Sequence, residues 1–198
     1  VGTVAGVGLS ILIHELSHGL AGTLLGRRPV HYELYLWGGR TSFGPSRAWA
    51  PWKDVLTSLA GPAANLALWA AGHALLHGGA ITSVPVGVVV WALTWVNLAL
   101  AIFNALPGLP LDGGHALSSL VAQLTGRRQA GERVAAVGGL LVVAAVAWRW
   151  VLEPLVLRGS RPDSFSLILA VMVAWPIAST SWRVLGLGRG ERAAARLD

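Results

Sequence analysis

Cysteine is absent from this chain, and charge is scarce. Without cysteine no disulfide can brace the fold, and a transition metal has to be held by imidazole and carboxylate rather than thiolate. Only 12% of the 198 residues are charged, against about 25% in a water-soluble domain. Hydrophobic residues make up 54%, and the mean hydropathy is +0.61. Such a chain cannot cover itself with a charged shell and is suited to lipid; its length fits one domain. There is no internal repeat, no low-complexity segment, and no signal peptide with a charged start and a small-residue cleavage site. The net charge of +6 comes without a basic run or a basic module, which argues against a nucleic-acid partner. The sequence starts at Val1 rather than Met, so a fragment with a missing upstream segment is expected.

What the chain does have is long apolar runs. Five are long enough, or nearly so, to cross about 30 Å of hydrocarbon: Val1 to Leu25, Val55 to His77, Val84 to Leu106, Val134 to Leu152, and Phe165 to Trp182. Asp54 reads as the cap of the second, and Pro176 should kink the fifth. The expected fold is an all-α polytopic membrane protein of about five transmembrane helices, with room for one more upstream. Residues 1–185 form the expected domain, and 186–198 a polar tail or the start of a linker. Most of the ten Trp residues read as interfacial belt and packing.

The basic residues set an orientation. Arg27, Arg28, Arg40, Arg47 and Lys53 follow the first run; Arg127, Arg128 and Arg133 follow the third; Arg183, Arg189, Arg192 and Arg196 follow the fifth. These twelve share one side, against Arg149, Arg158 and Arg161 on the other. By the positive-inside rule the richer side is cytoplasmic.

Val30 to Trp37 is rich in aromatic and branched residues and is followed by Gly38-Gly39 and then Arg40 to Phe43. This pattern predicts a membrane-associated β-hairpin with a glycine turn between spans one and two. The alternative is an aromatic anchor at the headgroups.

The chemistry centres on His14-Glu15-Leu16-Ser17-His18. On a helix, His14 and His18 sit one above the other on one face, where two imidazoles can grip one ion. Glu15 is placed to act as general base on a metal-bound water. Ionisable groups inside an apolar span are costly, and three within five positions call for a functional reason. Catalytic zinc needs a third protein ligand and an open position. Asp54 being explained as a cap, the candidate is Asp112, in the proline- and glycine-broken stretch Asn104 to His115. Broken backbone at membrane depth is tolerated only where protein or a water-filled cavity satisfies it. Asn65 and Asn104 could bind substrate or the oxyanion, or equally knit helices together; Asn97 reads as packing. His73 and His77 repeat the i, i+4 spacing without a neighbouring Glu and read as interfacial. His115 reads as locally solvated.

His14 to His18, Gly61-Pro-Ala-Ala-Asn65 and Asn104 to Gly114, in that order on successive spans, resemble the site-2 protease family of intramembrane zinc metalloproteases. The resemblance covers roughly Leu9 to Leu117. It implies zinc (Zn2+) as cofactor, Asp112 as third ligand, and Asn65 close to the site. With the apolar runs and the basic-residue count, a multi-pass protein in the lipid bilayer is expected, its active site toward the cytoplasmic side. The expected activity is hydrolysis of a peptide bond in or near a transmembrane segment. The expected partner is a membrane-anchored protein substrate such as an anti-sigma factor or similar regulator, in regulated intramembrane proteolysis. The hairpin edge could hold the unwound substrate by β-addition. The rival reading is a non-hydrolytic membrane metal-binding protein or transporter; transporters often show paired broken helices in repeated halves, and this chain has one broken segment.

Overall fold

The structure is a computed structural model that describes residues 2–27, 29–35, 38–43, 50–157 and 159–186. The predicted tail, apart from Gly186, and Arg28, Arg47 and Arg158 lie outside the described residues. The chain divides into two compact units, Val1–Ala105 and Leu106–Asp198.

The first unit holds α1 (Gly2–Leu24), strands β1 (Pro29–Tyr35) and β2 (Gly38–Phe43), α2 (Pro51–His77) and α3 (Val84–Asn104). The strands pair antiparallel, with Tyr35 opposite Gly38 and Tyr32 opposite Thr41. The hairpin is therefore present, but its glycines are not the turn. Gly38 and Gly39 open β2; Leu36 and Trp37 lie outside the described residues. Both strands pack along α1, with β2 making the larger share of the contact.

Asp54 is not the cap of α2. That helix starts at Pro51, with Ala50 as N-cap. Proline suits the first turn because its missing N–H would have no helical partner there. Asp54 lies inside the first turn, 3.7 Å from Arg27. Its neighbour Lys53 donates from Nζ to the Leu25 carbonyl at 2.8 Å, supplying a cation to the C-terminal end of α1. Higher up, glycines let the helices close in. A Cβ on Gly6 would stand 2.6 Å from Leu93 Cδ1, and one on Gly72 would run into Thr94. Close approach at small residues is how helices associate in lipid.

The second unit begins with the broken segment and contains a helix the sequence reading did not expect, α4 (Asp112–Thr125). Gly113 and Gly114 in its first turn weaken the local helical signal, and at 14 residues it is too short to span. Its buried face is made of small residues, Gly113, Gly114, Ala116 and Ser118. Gly126, at φ 68°, closes it in the left-handed conformation that favours glycine. Then come α5 (Arg128–Ala147), a π-helical turn (Trp148–Leu152), α6 (Glu153–Leu157) and α7 (Ser164–Leu185). The first three are continuous over Arg128–Leu157, longer than the expected fourth span. Pro154 has no N–H for the Trp150 carbonyl, which accounts for the widened turn before it. Asp163 caps α7, accepting from the Ser166 N–H at 2.9 Å and its hydroxyl at 2.7 Å. These bonds, the hydroxyl's first, hold the exposed Asp163 carboxyl below its ordinary pKa.

Among the described residues five helical stretches are long and apolar enough to cross a bilayer. The protein is a polytopic, mainly α-helical membrane protein with one β-hairpin.

Candidate metal centre

His14, Glu15 and His18 are all buried in α1, each no more than 6% exposed. Their surroundings fix how the two imidazoles are oriented. His18 Nδ1 lies 2.7 Å from the Thr57 carbonyl of α2. A carbonyl can only accept, so Nδ1 carries a hydrogen and donates.

The state of His14 follows from a longer chain of bonds. Asn97 Nδ2 donates to the Leu93 carbonyl at 2.9 Å, which orients the Asn97 amide. Its Oδ1 therefore accepts from Asn65 Nδ2 at 2.8 Å. That orients Asn65 in turn, and its Oδ1 accepts from His14 Nδ1. Asn97 Nδ2 also donates to Ser10 Oγ at 3.0 Å, and Ser10 donates to the Gly6 carbonyl at 3.0 Å. Every member has its role set by a neighbour, and Asn65 is wholly buried. His14, like His18, donates from Nδ1 and turns Nε2 toward the other ring.

The two Nε2 atoms stand 3.1 Å apart. In a neutral ring that donates from Nδ1, Nε2 is the nitrogen whose lone pair can ligate a metal. Two nitrogens on a tetrahedral zinc, at about 2.0–2.1 Å each, lie about 3.3–3.4 Å apart, so the pair fits the ion with a shift of a few tenths of an ångström. Gly61 makes the room. A Cβ there would strike both His18 Nε2 and His14 Nε2.

The other candidates fall as follows. Asp112 is the first residue of α4, in the second unit, where a carboxylate is favoured by the helix N-terminus. Gly108 and Gly138 hold the segment before it: a Cβ on Gly108 would stand 2.6 Å from the Gly139 Cα, and one on Gly138 would strike the Pro107 carbonyl. Asn104 ends α3, half-buried, with Nδ2 donating to the Leu100 carbonyl at 3.1 Å. His73 and His77 are stacked at 4.1 Å between ring centroids, with 19° between planes, so they present faces to each other rather than lone pairs to a common point. His115 is exposed on α4.

The sequence reading missed Ser10, Thr57 and Thr41. Ser10, four residues before His14 on the same helical face, was detectable by spacing. A contact made through the Thr57 backbone carbonyl leaves no mark on side-chain identity. Thr41, on β2, donates to Glu15 Oε2 at 2.8 Å and lies 3.0 Å from the Glu15 carbonyl; nothing in its neighbourhood announces this.

The sequence matches Peptidase family M50 over residues 73–146. That match takes in 74 of the 198 residues and agrees with the resemblance to the site-2 protease family of intramembrane zinc metalloproteases. The chain is 37% identical over 126 residues to a "Putative zinc metalloprotease" of Synechocystis sp., covering 64% of this chain and 33% of that protein. It is 42% identical over 108 residues to "Putative zinc metalloprotease Rip3" of Mycobacterium tuberculosis, covering 54% and 27%. The matched part of the chain thus spans a third or less of these relatives. In fold it resembles the site-2 protease from Methanocaldococcus jannaschii, with a TM-score of 0.63, 19% identity, and coverage of 87% of this chain and 74% of that one.

Asn65 gives a first test of the centre. Asn65→Leu keeps the volume and removes the acceptor of His14 Nδ1. Removing such an outer partner weakens metal affinity about 10- to 100-fold, and zinc competition with a chelator should show that loss. Unchanged affinity would mean that the chain from Leu93 to His14 does not orient the imidazole.

Proposed function

We propose that this chain is an intramembrane zinc endopeptidase that hydrolyses a peptide bond in or near a transmembrane segment of a membrane-anchored substrate. The observation that carries the reading is the pair of buried imidazoles whose Nε2 atoms stand 3.1 Å apart, with Glu15 on the same helical turn. His14, His18 and Asp112 would hold the ion, two neutral imidazoles and one carboxylate leaving a position open. Bound zinc lowers the pKa of a water molecule and polarises the peptide carbonyl. Glu15 takes the proton from the attacking water and afterwards hands it to the leaving amine. Asn65, committed to His14 and Asn97, acts through the imidazole; Asn104 is the residue we assign to substrate or oxyanion contact. The hairpin holds the unwound substrate by adding it as a strand.

The test is metal analysis and cleavage on the same preparations. One zinc per chain is expected, with sharp loss in His14→Ala, His18→Ala and Asp112→Ala. Full zinc in Asp112→Ala would remove that residue from the ligand set. Cleavage is measured on single-span membrane peptides, with Glu15→Gln as control.

We further propose that the site opens toward the cytoplasm, on the side rich in Arg and Lys. A single cysteine at Arg127 should react with a membrane-impermeant thiol reagent only from the cytoplasmic face, and one at Gly79 only from the outside. The opposite pattern overturns this orientation.

A further inference from the structure

Glu15 is held by the hairpin as well as by its own helix. Thr41 Oγ1 on β2 lies 2.8 Å from Glu15 Oε2 and 3.0 Å from the Glu15 backbone carbonyl. A hydroxyl has one hydrogen and two lone pairs, so Thr41 serves these acceptors one at a time. Glu15 is 4% exposed. A side chain with three rotatable bonds otherwise has several rotamers open to it.

We propose that Thr41 is the positioning residue for the Glu15 carboxylate, so that the hairpin that receives substrate also sets the base. The inference rests on the peptidase reading above. While Glu15 is a carboxylate, the Thr41 hydroxyl donates to Oε2. Once Glu15 has taken the proton from water, the hydroxyl turns its hydrogen to the Glu15 carbonyl and accepts from the protonated carboxyl. When the proton passes to the leaving amine the hydroxyl turns back. No heavy atom moves between the two halves of the reaction, and the proton count is unchanged at Thr41. Because the hydroxyl is carried on β2, a shift of that strand on pairing with substrate shifts the hydrogen bond to the base.

The experiment compares the full chain with Thr41→Val, Thr41→Ala and Thr41→Ser. Valine keeps the β-branched shape that strands favour and removes only the hydroxyl. On a single-span membrane peptide that the wild type cleaves, Thr41→Val should lower kcat about 10- to 100-fold, the scale of one hydrogen bond to a charged group. KM, zinc content and thermal stability should stay near wild type, and Thr41→Ser should restore most of the rate. In metal-free protein, the Glu15 carboxylate infrared band, assigned by difference against Glu15→Gln, should shift in Thr41→Val and Thr41→Ala and return toward wild type in Thr41→Ser. Wild-type kcat in Thr41→Val, or a raised KM with kcat unchanged, overturns the proposal, as does an unmoved infrared band. An active Glu15→Gln protein would instead overturn the peptidase mechanism itself, so the two failures are separable.

Discussion

Gly61→Ala is expected to empty the metal centre while leaving the helices in place. The added methyl would stand 2.6 Å from His14 Nε2 and closer still to His18 Nε2, well inside contact distance. Both rings would have to turn or α2 would have to back away from α1. Turning the rings breaks the bonds to Asn65 and to the Thr57 carbonyl; backing away opens the contact that carries both. Zinc affinity should fall at least about 100-fold, beyond the range found when an outer partner of a ligand is lost. Alanine is itself a better helix former than glycine by about 0.5–1 kcal/mol, so a general loss of helicity is not expected. Circular dichroism should remain that of the wild type while metal analysis shows the loss. Wild-type zinc affinity in Gly61→Ala would mean that the ion does not sit against α2.

Glu15→Gln should do the opposite, keeping the metal and abolishing the chemistry. Glutamine preserves the length of the side chain and one carbonyl oxygen that can accept from Thr41. It is not one of the proposed ligands, so one zinc per chain should remain. It cannot take a proton from water, and general-base catalysis is worth about 10²- to 10⁴-fold. Cleavage of a single-span substrate should therefore drop by at least about 100-fold. A rate equal to wild type would remove Glu15 from the mechanism.

Much of this architecture was legible in the residues because membrane helices announce themselves by unbroken apolarity. Four of the expected spans correspond to helices within a few residues, and the fourth in order is extended on both sides, to Arg128–Leu157. The hairpin was readable from its branched and aromatic residues. Its turn was misplaced because glycine pairs more often make turns than begin strands, whereas here Gly38 and Gly39 face Tyr35 and Leu34. α4 escaped notice because a short helix opening with Asp112-Gly113-Gly114 has low intrinsic propensity; tertiary packing of its small face supplies what propensity does not. At the site, His14, Glu15 and His18 were visible by spacing alone. The bonds that orient both imidazoles were not, since they run through the Thr57 carbonyl and through amides whose orientation only three-dimensional neighbours decide.

The polar chain from Ser10 to Asn65 also bears on how the protein enters the membrane. α1 carries His14, Glu15 and His18 in the middle of a 23-residue apolar helix, and Asn65, Thr57 and Thr41, which bond to them, belong to other elements. Charged residues at a helix centre oppose insertion by about 2.5–3.5 kcal/mol each on translocon-derived scales, and neutral polar groups less. Before α2 and α3 are made, α1 therefore faces lipid with unmet hydrogen-bonding groups and inserts poorly by itself. Asn65 on α2 and Asn97 on α3 arrive later and satisfy the imidazole from inside the bundle. Integration of the first helix should thus be completed by the synthesis of the second and third. A glycosylation-mapped insertion assay should find α1 crossing more efficiently when α2 and α3 follow it than when it is made alone, and Asn65→Leu should narrow that difference.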